Sequence, residues 1–208
     1  MIRKRVKFPS GDLILEGELQ SPEGKGSFPA AVVCHPHPLY GGDMDNNVVT
    51  SVCDALTRKS IAAFRFNFRG VGKSRGEYGE GSGEQDDAKA ALDYISSIHQ
   101  IDGGKIGLAG YSFGGFVAAG VAFQDVRVKK LALISPYLDK MGWTTLKRYG
   151  LPKLVLLGDK DDVLPFRQFQ HLFGDPNEYL IIVGADHSWT GFENQVGGKI
   201  AAFISDRF

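Results

Sequence analysis

Ser112 stands in a glycine-rich segment that could provide a nucleophile. The pentapeptide Gly110-Tyr111-Ser112-Phe113-Gly114 matches the pattern G-x-S-x-G, with an apolar run before it and the helical run FVAAGVAF after it. A serine at such a strand-to-helix turn has a strained backbone, and the turn is so sharp that the residues two positions away must lack side chains. Its hydroxyl projects at a helix N-terminus, where developing negative charge is favoured. The segment therefore predicts a nucleophilic serine rather than a structural one.

Two further polar loops each follow an apolar run and could supply an acid and a base. Residues 184–189 (GADHSW) include His187 and are expected to open the last helix, and residues 158–165 (GDKDDVLP) end in Pro165, expected to open another. A serine hydroxyl needs a base that works near neutrality, and imidazole is that group. A carboxylate then fixes the tautomer of the imidazole and stabilises the imidazolium. Because serine, acid and histidine follow successive buried strands, the sequence predicts a Ser-Asp-His triad. The carboxylates in the first loop are Asp159, Asp161 and Asp162.

The segment HPHPLYGG (residues 35–42) is the candidate for an oxyanion hole. The oxyanion of a tetrahedral intermediate needs backbone N–H donors, and Phe113, directly after the nucleophile, supplies one. Prolines 36 and 38 carry no N–H, so the second donor is His37 or Leu39. We favour the backbone N–H of His37.

The same segment could also be interpreted as a metal site. His35 and His37 alternate, and Asp43 and Asp45 follow closely. Two prolines stiffen the segment, however, and no further histidine lies nearby, so we expect neither a metal nor an organic cofactor.

Gly72-Lys73-Ser74 resembles the end of a phosphate-binding loop. The first glycine of that motif would stand at position 67, which is Asn67, and no helix pattern begins directly after Ser74. The sequence therefore does not favour nucleotide binding.

The elements that must position these groups alternate between strand-like and helix-like patterns. A turn at residues 9–12 joins two short strands into a hairpin, and fully apolar runs such as AAVV and LVLL suit a parallel sheet that is buried on both faces. Strands are predicted at residues 3–8, 13–19, 30–34, 61–68, 105–109, 130–134, 153–157 and 179–183. Ser82-x-x-Gln85 resembles a capping box that opens a helix to about His99. The last helix is predicted from a stripe formed by Trp189, Phe192, Val196, Ile200 and Phe203. The pattern predicts a three-layer α/β/α sandwich, with a mostly parallel sheet and an N-terminal antiparallel hairpin, in one domain over residues 1–208.

The composition is that of an ordinary globular domain. Lys plus Arg and Asp plus Glu are 24 each, so no overall charge attracts nucleic acid or an anionic membrane. Cys34 and Cys53 are too few for a disulfide scaffold and are expected as buried thiols in a reducing cytoplasm. The N-terminus is basic but no apolar segment follows it, and the charge-free residues 106–123 fit a buried strand and helix better than a membrane span.

Together these segments resemble the α/β-hydrolase superfamily, and more narrowly a group of small, cap-less bacterial serine hydrolases. The motifs that carry the resemblance are HPHPLYGG (35–42), RFNFRGVGKSRG (65–76), GYSFGG (110–115), GDKDDVLP (158–165) and GADHSW (184–189). The resemblance implies that the acid is Asp161, with Asp162 the alternative. It also implies a shallow, open site, because residues 135–152 leave room for a loop and one helix but not for a lid. Candidate lining residues are Tyr40, Tyr111, Tyr137 and Trp143.

The expected activity is hydrolysis of a carboxylic ester or thioester of a small or exposed acyl group. An open site excludes water poorly, which favours hydrolysis over chemistry that needs a dry pocket. The alternatives are a serine peptidase and an idle hydrolase fold that serves as an interaction module. The sequence leaves open the physiological substrate and the oligomeric state.

Overall fold

A computed structural model describes residues 1–24, 26–164 and 179–206, which form an eight-stranded sheet with helices on both faces. The strands are β1 (Ile2–Ser10), β2 (Leu13–Ser21), β3 (Phe28–Cys34), β4 (Ala62–Phe66), β5 (Ile101–Tyr111), β6 (Val128–Ile134), β7 (Lys153–Gly158) and β8 (Tyr179–Ile182). The helices in these ranges are α1 (Asn47–Arg58), α2 (Ser82–Ser96), α3 (Phe113–Ala122), α4 (Lys140–Arg148) and α5 (Glu193–Ser205).

The strand order is β1-β2-β4-β3-β5-β6-β7-β8. The pairs β1–β2 and β2–β4 are antiparallel, and the other five pairs are parallel. This confirms the predicted α/β fold with its N-terminal hairpin. Because the carboxyl ends of the parallel strands meet at one edge, the loops after β3, β5, β6, β7 and β8 lie together there.

Two hydrophobic cores lie on opposite faces of the sheet. Helices α1 and α5 bury apolar residues against one face, and α2, α3 and α4 bury theirs against the other. The second core is rich in aromatic rings, as the 14 phenylalanines suggest: the Phe8 ring packs edge-on against Phe64 and Phe66 at centroid distances of 5.3 and 5.8 Å. Cys34 and Cys53 are both buried as free thiols.

Helix α2 begins differently from the prediction. Its N-cap is Gly81, so Ser82 is the first helical residue, and the helix ends at Ser96 rather than near His99. The capping carboxylate belongs to Glu84 and not to the amide of Gln85: it accepts from the backbone N–H groups of Gly81 and Gly79 at 2.7 and 2.8 Å. A charged acceptor near the positive end of a helix binds these N–H groups more strongly than an amide would.

Helix α5 begins at Glu193, four residues later than the apolar stripe indicated. Trp189 and Gly191 both have left-handed backbones, with φ of 59° and 84°, and such residues cannot continue a right-handed helix. His187 therefore lies in a loop, not at a helix start. The prediction that Pro165 opens a helix lies outside the described residues.

The charge-free residues 106–123 divide between β5 and α3, as expected. Among the helices described, none has the length and apolar character needed to cross a membrane.

Candidate active site

Ser112 lies at the sharp turn between β5 and α3. Its φ of 54° and ψ of −117° are strained for a residue with a side chain, and its N–H donates to the carbonyl of Ile134 at 2.8 Å. A Cβ atom on Gly110 would lie 2.1 Å from the carbonyl oxygen of Gly114, and one on Gly114 would lie 2.4 Å from the carbonyl of Cys34. Both positions therefore exclude any side chain, which is the geometry expected of a nucleophile elbow.

The loops after β7 and β8 bring an acid and an imidazole to this serine. The Nε2 atom of His187 lies 3.0 Å from Ser112 Oγ, and its Nδ1 atom lies 3.0 and 3.1 Å from the two carboxylate oxygens of Asp161. Since a carboxylate can only accept, Nδ1 carries the proton and Nε2 is free to accept from the serine hydroxyl. Asp162, the alternative acid, is exposed.

Asp161 is held by hydrogen bonds to both of its oxygens. Ser135 Oγ donates to Oδ2 at 2.6 Å, and the backbone N–H of Leu164 donates to Oδ1 at 2.8 Å. Burial by itself raises the pKa of the Asp161 carboxyl. The hydrogen bonds and the neighbouring imidazole outweigh burial and hold the pKa below the ordinary value for an aspartate. The group is therefore an anion at neutral pH.

The loop that carries His187 is tied to its neighbours. The hydroxyl of Tyr111 donates to the carbonyl of His187 at 2.5 Å, and the N–H of Lys160 donates to the carbonyl of Ala185 at 3.0 Å. Asp159, the third carboxylate of its loop, accepts from the N–H of Gly184 at 2.6 Å. Tyr111, predicted to bind substrate, thus uses its hydroxyl proton within the protein, so a ligand could contact only its ring or donate to its oxygen.

Two backbone N–H groups near Ser112 are free to bind an oxyanion. Those of His37 and Phe113 have no acceptor within the described residues. The N–H of Leu39, the other candidate, is committed to His37 Nδ1 at 3.2 Å. The loop closes on itself because Tyr40 and Gly42 both donate to the carbonyl of His37.

The two histidines of this loop have structural contacts rather than metal-binding geometry. His35 is buried between the carbonyl of Pro36, 2.7 Å from Nδ1, and the N–H of Phe68, which donates to Nε2 at 3.1 Å. Burial lowers the pKa of His35 to about 4, so the ring is neutral at pH 7. His37 packs its ring against Phe113 at 4.6 Å. Across the described ranges, no group of three His, Cys, Asp or Glu side chains could hold a metal ion.

The segment that resembles a phosphate-binding loop is also structural. Ser74 Oγ donates to the carbonyl of Asn67 at 2.7 Å and accepts from the N–H of Glu16 at 3.0 Å. The next helix begins only at Ser82, whereas the helix of a phosphate-binding loop begins at the end of its motif.

An open cleft of about 620 Å³ surrounds the serine, and three tyrosines and one phenylalanine contribute to its lining. Its described lining residues are Pro36, His37, Tyr40, Gly41, Gly42, Asn46, Tyr111, Ser112, Phe113, Tyr137, Val163 and His187. Tyr40 and Tyr137 are exposed at its rim, as the sequence suggested. Trp143 is not part of the cleft: it is 2% exposed and packs in the core beneath α4.

Sequence reasoning missed two residues, one that contacts Asp161 directly and one that reaches it through the first. Ser135 follows β6 directly and bonds to Asp161, and the indole Nε1–H of Trp189 donates to Ser135 Oγ at 3.1 Å. The position of Ser135 at the carboxyl end of a buried strand was the available signal.

Known proteins match both the sequence and the fold. The family model described as serine aminopeptidase, S33, matches residues 31–142. An uncharacterised protein of Rickettsia prowazekii is 32% identical over 83% of this chain and 78% of its own length. The structure of an α/β serine hydrolase homologue from Coxiella burnetii is 34% identical with a TM-score of 0.86, covering 97% of both chains. An α/β serine hydrolase without a lid from Xanthomonas campestris is 28% identical with a TM-score of 0.79, covering 97% of this chain and 93% of that one. With the family model matching more than half of its length and with these structural neighbours, the chain belongs to the α/β-hydrolase family described as serine aminopeptidase, S33, and is a hydrolase.

Proposed function

We propose that this hydrolase cleaves carboxylic esters or thioesters through an acyl-enzyme on Ser112. The observation that carries the proposal is the 3.0 Å contact between Ser112 Oγ and His187 Nε2. Beside it lie the backbone N–H groups of Phe113 and His37, which have no acceptor among the described residues. These groups provide a nucleophile, a base and oxyanion donors around one reacting atom.

In the first half of the proposed reaction, Ser112 Oγ attacks the acyl carbon while His187 Nε2 takes its proton. The carbonyl oxygen becomes an oxyanion and accepts from the N–H groups of Phe113 and His37. Asp161 stabilises the imidazolium at Nδ1 without taking its proton. Collapse of the intermediate expels the alcohol or thiol, which receives the proton from Nε2.

In the second half, water replaces the leaving group. His187 removes a proton from that water, the resulting hydroxide attacks the acyl carbon, and the same N–H groups hold the second oxyanion. The ester bond to Ser112 breaks and the proton on Nε2 returns to Ser112 Oγ. The sequence of steps uses no metal and no organic cofactor.

The lining of the cleft favours an uncharged acyl group. The described lining residues are aromatic, aliphatic, glycine or amide, apart from the serine and the two imidazoles. An apolar or aromatic acyl chain can lie against Tyr40, Tyr137 and Val163, which remain accessible at the rim.

The family description makes an aminopeptidase the second candidate. Recognition of a free α-amino group requires a buried or convergent carboxylate to pair with the ammonium. No Asp or Glu lines the cleft in the described part of the chain, and Asp161 is fully engaged with its own partners. This favours an ester or thioester over an N-terminal peptide bond. The proposal includes a cytoplasmic location and small-molecule acyl substrates, both of which rest on the sequence alone.

Labelling with a fluorophosphonate probe tests the nucleophile, with Ser112→Ala as control. We expect the wild-type protein to label and the variant not to label. A series of p-nitrophenyl esters, run beside aminoacyl p-nitroanilides, then separates esterase from aminopeptidase. Faster turnover of the anilides would contradict the ester proposal. No labelling of folded protein would favour an idle fold acting as an interaction module.

A further inference from the structure

We infer that Ser135 and Trp189 are positioning residues that hold the triad carboxylate in its working orientation through a chain of hydrogen bonds. This inference rests on the proposed function of the triad and extends it by two residues. The chain runs from the Trp189 indole to Ser135 Oγ at 3.1 Å, and from Ser135 Oγ to Asp161 Oδ2 at 2.6 Å.

The direction of each hydrogen bond in this chain is fixed by chemistry. The indole N–H can only donate, so Ser135 Oγ accepts from it and must aim its own proton elsewhere. The Asp161 carboxylate can only accept, and it lies in line to receive that proton. The hydrogen bond from Trp189 therefore orients the hydroxyl of Ser135, and that hydroxyl donates its proton to Asp161 Oδ2.

The carboxylate has little freedom left with these bonds in place. Oδ1 accepts from the N–H of Leu164, Oδ2 accepts from Ser135, and both oxygens face Nδ1 of His187. Without Ser135, the Leu164 N–H alone would oppose rotation of the carboxylate away from the imidazole. Small displacements in such a constellation lower turnover strongly.

Backbone strain is concentrated in the same chain of residues. Five described non-glycine residues have positive φ, and three of them are Ser112, Ser135 and Trp189, with φ of 54°, 39° and 59°. Such conformations persist only where the surrounding structure determines them, and they cluster at functional sites. Ser135 and Trp189 are both completely buried, so exposure to solvent does not account for their strained backbone conformations.

A second buried serine–carboxylate pair provides a matched control. Ser10 Oγ donates to Asp87 Oδ1 at 2.7 Å, and both residues are buried, but this pair does not contact the triad. Ser10→Ala and Ser135→Ala each remove one hydroxyl from one buried carboxylate. A structural role alone predicts the same consequences for both variants.

The test compares Ser135→Ala with Ser10→Ala in p-nitrophenyl ester hydrolysis and in an NMR titration of His187. We expect Ser135→Ala to lower kcat about tenfold with little change in KM. The acid limb of kcat/KM and the NMR titration of His187 are expected to move upward by about half a pH unit. The reason is that the less solvated carboxylate attracts protons more strongly. Among the described residues, the other titratable groups that line the cavities beside His187 are Lys160, Asp162, Asp186, Tyr111, His37, Tyr40 and Tyr137. None of these variants changes them.

One further variant distinguishes the effect of the Ser135 hydroxyl from that of its backbone conformation. Another distinguishes the effect of the Trp189 indole N–H from that of the size of its side chain. Ser135→Gly suits the positive φ but lacks the hydroxyl, so we expect it to be as slow as Ser135→Ala. Trp189→Phe removes the N–H and is expected to lower kcat about threefold. Trp143→Phe, at the buried tryptophan on the other face of the sheet, is expected to leave kcat unchanged.

Equal kcat and equal His187 titration in Ser135→Ala and Ser10→Ala would overturn the inference. Wild-type activity in Ser135→Gly would also overturn it, because the backbone and not the hydroxyl would then matter. The NMR titration needs no turnover. A shift in Ser135→Ala alone, in a protein that hydrolyses no ester, would therefore refute the proposed function while supporting the positioning role.

Discussion

Two buried aspartates each lie near a histidine: Asp87 near His35, and Asp161 near His187. The two pairs differ in whether a positively charged side chain is bonded to the aspartate. Asp87 is paired with the Arg69 guanidinium, which donates to it from Nε at 3.0 Å and from Nη2 at 2.8 Å. Asp161 has no guanidinium or ammonium among its described partners, and it faces the imidazole of His187 directly. His35 is close enough for the charge of Asp87 to affect it, but its hydrogen-bond partners in the described part of the chain are backbone groups.

The difference explains how one pair serves structure and the other is suited to catalysis. The charge of Asp87 is already paired with a permanent cation, and burial of the His35 ring outweighs the attraction of Asp87 for a proton on it, so the pKa of His35 falls. The charge of Asp161 is stabilised by neutral donors, so the anion remains available to stabilise a positive charge on the imidazole of His187. A buried carboxylate without a permanent counter-charge is thus a useful sign of a functional pair.

The strongest test of this difference between the two aspartates is to replace each of them by asparagine. Asp161→Asn is expected to lower kcat by about 10⁴, because the amide favours the wrong tautomer of His187. Asp87→Asn is expected to lower the free energy of unfolding by about 3–5 kcal/mol, because it leaves the guanidinium of Arg69 without its carboxylate. Ester hydrolysis and urea denaturation measure the two effects. Asp87→Asn should keep kcat within about threefold while folded, and a large loss of kcat there would undo the distinction.

The pH dependence of stability tests the neutral state of His35. The unfolded chain protonates this residue near its ordinary pKa of 6.5, whereas the folded chain does so only at about pH 4. The unfolded state therefore binds more protons in this window, and stability falls as the pH falls. The expected loss from this residue is about 3 kcal/mol between pH 6.5 and 4.

Urea denaturation across this window is the measurement, with His35→Gln beside the wild type. The amide oxygen of glutamine can accept from the N–H of Phe68 but cannot take up a proton, so the variant should show a flatter profile. His99→Gln, at an exposed position, is the control. Equal slopes for wild type and His35→Gln would mean that His35 is not buried as a neutral ring.

The smallest expected effect is at Asp162, next to the proposed acid Asp161. Its side chain is exposed, and charges at exposed positions are screened by solvent and salt. Asp162→Asn should therefore change kcat/KM less than about twofold. A large decrease in this variant, with activity retained in Asp161→Asn, would transfer the role of the acid to Asp162.

Much of the fold follows from local patterns. The hairpin signature predicted the first two strands, and apolar runs predicted the other six, because strands buried on both faces of a parallel sheet carry few polar residues. The helix boundaries were harder. A left-handed Trp189 cannot be recognised from its type, and the cap of α2 depends on a carboxylate of Glu84 that folds back two residues further than the motif requires.

The site shows the same division between local and tertiary information. Glycines flank Ser112 because the turn excludes side chains, so that motif could be recognised in the sequence. Ser135 was harder to recognise, because its partner Asp161 is 26 residues away in the sequence. The two side chains come into contact only when β6 and β7 pair in the folded sheet. Trp143 and Tyr137 were both candidates for the lining, yet Trp143 lies on the buried side of α4 while Tyr137, in the loop before that helix, is exposed.

The hydrogen bond from Tyr111 to the carbonyl of His187 has a mechanical consequence. Tyr111 is joined to the nucleophile by one peptide bond and ends β5, which is paired with a strand on each side. The backbone of His187 is thereby tied to the strand that leads into Ser112. Because β5 lies inside the sheet and β8 lies at its edge, we expect the distance between Ser112 and His187 to depend less on the surface loop after β8 than it would without this hydrogen bond.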